Sequence, residues 1–148
     1  MKFYYGNMNE RQFRNIYLKA IQKKGNTSEN LVGLLERRLD MVIYRAKFAT
    51  TVFSSRQLIN HGHIIVNGKK VNIPSYSVKT NDVIEVKNKS KDMAFIAGSL
   101  VNKEREVPDY IQMDEKNKKA KLIRIPKFSE IPYPAIMEPN LVIEYYSR

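Results

Sequence analysis

Apolar residues at Phe13, Ile16, Tyr17, Ala20 and Ile21 recur at the spacing of one helix face. Asn9 and Gln12 frame the start of that helix as a capping box. Lys23 and Lys24 complement its C-terminal dipole, and Gly25 supplies a left-handed stop. Arg11, Arg14 and Lys19 fall off the apolar stripe, so the helix has one core face and one basic face. Asn26-Thr27-Ser28-Glu29 opens a second helix in the same manner. Its stripe of Leu31, Leu34, Leu35, Leu39, Val42 and Ile43 predicts one continuous helix reaching Arg45. A short third helix is predicted over residues 51–61, with Leu58 and Ile59 inward, Arg56 and Gln57 outward, and Gly62 ending it.

The period then changes to that of a strand. Residues 63–66, Asn67-Gly68 and residues 69–73 read as a hairpin, because Asn-Gly suits the positive φ angles of a type I′ turn. Pro74 ends the second strand, Thr80-Asn81-Asp82 is a turn, and residues 83–86 form another strand. After a polar loop, residues 93–101 are predicted helical. Residues 109–113 and 121–125 are predicted to pair around the loop 114–120. Four prolines make 126–140 irregular. For residues 140–146, β-branched and aromatic content favours a strand, whereas Pro139 and Asn140 are helix-start signals.

Charge adds direction to this picture. The 148 residues carry 26 Lys+Arg against 15 Asp+Glu, a net +11. Residues 1–74 hold 13 basic and 4 acidic side chains; the remainder holds 13 and 11. An anionic partner is therefore expected on the first half. A polyphosphate backbone fits best, because each neutralised phosphate releases condensed counterions. Some charges between Glu36 and Arg45 are expected to pair with each other in solvent, each pair worth about 0.3–0.5 kcal/mol. Apolar runs such as residues 141–143 fall far short of a membrane span.

The stretch "HGHIIVNGKK" holds both histidines, His61 and His63, and raises the question of a metal or a catalytic base. A His-x-His pair needs further ligands, yet the chain has no cysteine and no acid between Asp40 and Asp82. Ser54 and Ser55 lie near in sequence, but nothing marks an orienting group or an oxyanion loop. Gly68 is a turn glycine and not a phosphate-binding loop. No catalytic residue, metal ligand or cofactor is expected.

Over residues 31–86 the motifs "LLERRLDMVIYR" and "RQLINHGHIIVNGKKVNIPSYSVKTNDVIEV", with the ending "LVIEYYSR", resemble the S-four family of small-subunit ribosomal proteins. The flank "YYGN…ERQFRNIY…KKGNTSENL" resembles the helical region that precedes the module in that family, so the likeness spans nearly the whole chain. "FATTVFSSRQL" resembles alphaproteobacterial or mitochondrial members most. The resemblance implies an α+β fold of three parts. Residues 1–30 would form a helical domain completed by the tail at about 128–148, where residues 140–146 would be a short helix. Residues 31–90 would form the S-four RNA-binding module, with helices on a small, mainly antiparallel sheet, and 91–127 would extend it with further strands.

The resemblance also implies a function. Such a protein is a structural constituent of the small ribosomal subunit and binds a junction in the 5′ domain of its RNA. It helps nucleate assembly and influences decoding accuracy through contact with small-subunit protein five. The setting would be a bacterial cytoplasmic ribosome or that of an organelle matrix, with no membrane partner and no homo-oligomer. Members usually carry a basic arm before the residues matching Tyr4-Tyr5-Gly6-Asn7; that arm is expected to be absent here or cut away. The superfamily commonly has an arginine where Val52 stands and an alanine where Ser55 stands, so one RNA contact of the module is expected to be missing or supplied by Arg56. The alternative is a stand-alone S-four-module RNA-binding accessory protein, whose flanks would not be expected to match.

RNA contacts are expected from Arg11, Arg14, Lys23 and Lys24 on the first helix. In the module they are expected from Arg38, Arg45, Lys47, Arg56, Gln57, His61, His63, Lys69 and Lys70. Arginines weigh most, because the planar fork engages phosphate bidentately. Arg38 has a competing structural role, two residues from Asp40. Replacing Arg56, Lys69 and Lys70 by alanine is expected to weaken RNA binding and leave the melting temperature nearly unchanged.

Overall fold

The computed structural model describes residues 10–91, 93–100 and 106–126. The chain divides into two compact units, with boundaries between Glu36 and Arg37 and between Ile125 and Pro126. The predictions for Asn9 and for residues 127–148 lie outside the described residues.

In the first unit, α1 (Glu10–Gln22) and α2 (Thr27–Glu36) form a helical pair joined by a short turn. Phe13, Tyr17 and Ala20 of α1 and Leu31 and Leu35 of α2 are buried as the stripes require, whereas Ile21 at the end of the α1 stripe is exposed and Val32, outside the α2 stripe, is buried. Gly25 takes φ +104, a left-handed angle that stops α1. The Asn30 amide donates to the carbonyls of Ala20, Lys23 and Lys24 at 3.2–3.4 Å, so α2 satisfies orphan groups at the end of α1. Asn26 Oδ1 accepts from Glu29 N at 3.1 Å and caps α2 as expected.

The second unit begins where periodicity misleads. The predicted continuous helix is two helices, because Arg38 is extended (φ −63, ψ 143) before α3 (Leu39–Arg45). The residues after the hairpin cause the break. Val78 N donates to Arg37 O at 2.8 Å, Leu39 N to Tyr76 O at 2.8 Å and Asp40 N to Pro74 O at 3.1 Å. Arg38 and Ser77 thereby form a one-residue antiparallel bridge. These long-range bonds replace helical ones that periodicity alone would assign.

Then comes α4 (Val52–Asn60), capped by Thr51, whose hydroxyl accepts from Ser54 N at 3.0 Å. Among the described residues five strands make one antiparallel sheet: β1 (Ile64–Val66), β2 (Lys69–Lys70), β3 (Val83–Val86), β4 (Ile111–Asp114) and β5 (Lys119–Leu122). Their order is β2-β1-β3-β5-β4. Asn67 (φ 50) and Gly68 (φ 82) make the expected tight turn, pairing Val66 with Lys69. The strand expected over 69–73 is only two residues long, since the chain leaves the sheet to deliver Pro74 and Tyr76 to the start of α3. The last hairpin is tighter than expected: Asp114 already pairs with Lys119. A short helix, α5 (Ala94–Leu100), precedes it.

Alternation along the strands buries one face. Ile84 and Val86 of β3 join Ile64, Val66, Ile111, Ala120 and Leu122 in the core. Leu39, Val42, Ile43, Phe48, Leu58, Ile59, Val78, Ile96 and Tyr110 complete it. No described helix is long and apolar enough to cross a membrane.

Candidate nucleic-acid interface

Asp40 is fully buried in the first turn of α3, and two arginines converge on it. Arg38 donates from Nε to Oδ1 at 3.2 Å and from Nη2 to Oδ2 at 3.1 Å, a bidentate pair. Arg56 of α4 donates from Nε to Oδ2 at 3.1 Å. The pairing expected in solvent is thus a buried one, and it ties α3 to α4. Arg38 is 7% exposed and Arg56 retains 22% of its side-chain surface. The Arg56 guanidinium carbon also lies 5.9 Å from the centre of the Phe53 ring.

Val52, Ser55, Leu58 and Ile59 bury one face of α4. The opposite face presents Phe53, Gln57 and Asn60, with His61 at the helix end. His61 and His63 flank Gly62, which takes φ +79. The Lys70 side chain lies across Gly62, but a Cβ there would meet only the flexible end of that lysine, so it is the left-handed φ that calls for glycine. The two imidazoles stand edge to face, 6.3 Å apart. His63 Nδ1 shares a 2.6 Å hydrogen bond with the buried Ser90 hydroxyl. Burial first, then the charges of Lys87, His61 and Lys70, lowers the His63 pKa from its ordinary 6.5. Ser54, Gln57, Leu58, His61, His63 and Met93 line an open cleft of about 150 Å³ beside this corner.

The candidate contacts therefore separate. Arg56, Gln57, His61, His63 and Lys70 gather around α4 and the hairpin, with Lys69 exposed next to Lys70. Arg11, Arg14, Lys23 and Lys24 are exposed in the first unit. Arg38, Arg45 and Lys47 are largely buried. Arg45 stacks 5.5 Å from the Tyr44 ring, and Lys47 takes a left-handed φ of 69. Sequence reasoning missed Phe53, Lys87 and Ser90. The helical phase set by Leu58 and Ile59 already puts Phe53 outside; Lys87 and Ser90 join the histidines only through sheet pairing of β1 with β3. Among the described residues no group of three or more His, Cys, Asp and Glu could hold a metal.

Between Met41 and Asn81 lie six basic residues and no acidic one. The nearest carboxylate before them, Asp40, is neutralised inside. What this surface offers is cations, amides and two imidazoles, the groups that meet phosphate oxygens and base edges.

Two family models match the chain in succession. Residues 1–36 match the ribosomal protein S4/S9 N-terminal domain, and residues 37–84 match the S4 domain. Their junction coincides with the unit boundary at Glu36. Small ribosomal subunit protein uS4 of Pelagibacter ubique is 70% identical over all 148 residues, which cover 72% of that relative. The proteins of the same name from Paramagnetospirillum magneticum and Granulibacter bethesdensis are 60% and 58% identical over the same span, again 72% of each relative.

Proposed function

The chain belongs to the family of small ribosomal subunit protein uS4, and from that membership we propose that it binds a multi-helix junction in the 5′ domain of small-subunit ribosomal RNA. It is a constituent of the small ribosomal subunit, in a family of ribosomal proteins and not of enzymes. Its relatives are bacterial, so its place is a cytoplasmic ribosome. As a primary binder it helps nucleate subunit assembly, and contact with small-subunit protein five carries its effect on decoding accuracy. It acts there as a single copy.

One observation supports the RNA reading: the acid-free stretch from Met41 to Asn81 folds so that Gln57, His61, His63 and Lys70 come together, with Arg56 on the same helix as Gln57. The RNA-binding module is then the second unit, and the exposed Arg11, Arg14, Lys23 and Lys24 give the helical unit a phosphate-binding role of its own. Arg38 and Arg45 contribute by holding the module's shape as well as its charge. The test is sedimentation of tagged protein with ribosomes. The protein is expected in the small-subunit fraction and in early assembly particles. Migration only as free protein would overturn the proposal.

A further inference from the structure

We propose that Phe53 is a base-stacking site: one unstacked RNA nucleobase lies on its ring, beside the Arg56 guanidinium that Asp40 holds in place. This deepens the RNA-binding reading and rests on it.

Among the described side chains Phe53 is the only exposed phenylalanine or tyrosine, with 56% of its surface open. It has no part in the core, which takes Val52, Ser55, Leu58 and Ile59 from the same helix. Helix propensity does not favour it either, since phenylalanine is only a middling helix former. Its surroundings indicate what covers it. Arg56 lies three residues on, Gln57 four and Asn60 seven, all on one helical stripe with the ring. A protein-docking surface would continue the apolar patch; here a single ring stands among amide and guanidinium donors. That mixture suits a base, whose π face stacks on the ring while its edges bond to amides. Charge agrees, because the segment from Met41 to Asn81 has no carboxylate to repel a phosphate.

Arg56 is prepared for this role. Its Nε is fixed on a fully buried carboxylate at 3.1 Å, and its guanidinium carbon sits 5.9 Å from the ring centre. A guanidinium already placed loses less freedom when RNA arrives. The cleft lined by Ser54, Gln57 and His61 opens along the same helix.

The chain has no tryptophan, so Phe53→Trp installs a single indole as probe. On titration with a 5′-domain RNA fragment, its emission is expected to be quenched at an affinity close to that of the unaltered protein. Phe53→Leu keeps the apolar character but cannot stack. It is expected to weaken binding roughly tenfold with an unchanged melting temperature. Unquenched emission together with full affinity of Phe53→Leu would overturn the stacking site alone. A Phe53→Leu protein that binds RNA normally yet no longer sediments with small subunits would assign the ring to a protein neighbour and overturn it too. If the unaltered protein ignores the fragment, the RNA-binding reading falls first.

Discussion

Asp40 sits at 0% exposure between two arginines, and its removal would break its ion pairs with both guanidinium groups, one of them, Arg38, almost wholly buried. Breaking a buried pair in this way typically costs roughly 3–5 kcal/mol. Asp40→Ala is therefore expected to lower the denaturation midpoint by an amount of that order; a change within error would remove Asp40 from the centre of the module. For the same reason Arg56→Ala will not leave the melting temperature untouched, as the sequence alone suggests it would. Lys69→Ala with Lys70→Ala is the cleaner pair for RNA affinity, since both side chains are exposed and neither forms an ion pair among the described residues. His63 gives a pH dependence. Its folded pKa lies below 6.5, so on acidification the unfolded chain takes up the proton first. The His63 contribution is complete above about pH 6.5 and is lost as pH falls toward the folded value. Thermal melts across that range should show a flatter acid arm for His63→Gln, and parallel curves would refute the assignment. Of these couplings only the one between Arg38 and Asp40 is legible in the chain. Spacing places Arg38 near Asp40, but only the fold brings Arg56 sixteen residues away onto the same carboxylate.

Among the elements, those set by local chemistry are legible and those set by distant partners are not. Thr51, Asn26 and Gly25 cap or stop helices by rules that read directly from residue type. Asn67-Gly68 makes its turn for the same reason, and Asn67 does more than turn. Its amide donates to Asp82 Oδ1 at 2.9 Å, and its Oδ1 accepts from Val83 N at 2.9 Å, which sets the hairpin against β3. Asn67→Ala forfeits both bonds and a residue tolerant of positive φ. It is expected to destabilise by roughly 1–3 kcal/mol, read from urea denaturation; an unchanged midpoint would show that the turn alone suffices. The break at Arg37-Arg38 belongs to the other kind. Its cause lies in the backbone of Pro74, Tyr76 and Val78, and nothing in the apolar stripe of α2 and α3 announces it. The same diversion shortens β2, so two misjudged elements have a single cause.

For the whole molecule, the asymmetry of charge is the most informative quantity that the residues carry on their own. The fold sharpens it by taking the nearest carboxylate before the acid-free stretch, Asp40, out of play. The buried state of Arg38 and Arg45 means that fewer module cations reach solvent than the sequence counts. The candidate site is thus legible as a region and only partly as residues, because charge can be summed along a chain while exposure cannot. The central claim is specific recognition of small-subunit RNA through phosphate contacts and base contacts together. Affinity measured against salt concentration, for the 5′-domain junction and for an unrelated duplex, tests it most directly. Both RNAs should bind more weakly as salt rises, with a log–log slope of about −0.7 to −0.9 for each phosphate contacted. The junction should remain the tighter ligand at every concentration. Equal affinity for the two across the whole salt range would contradict the account.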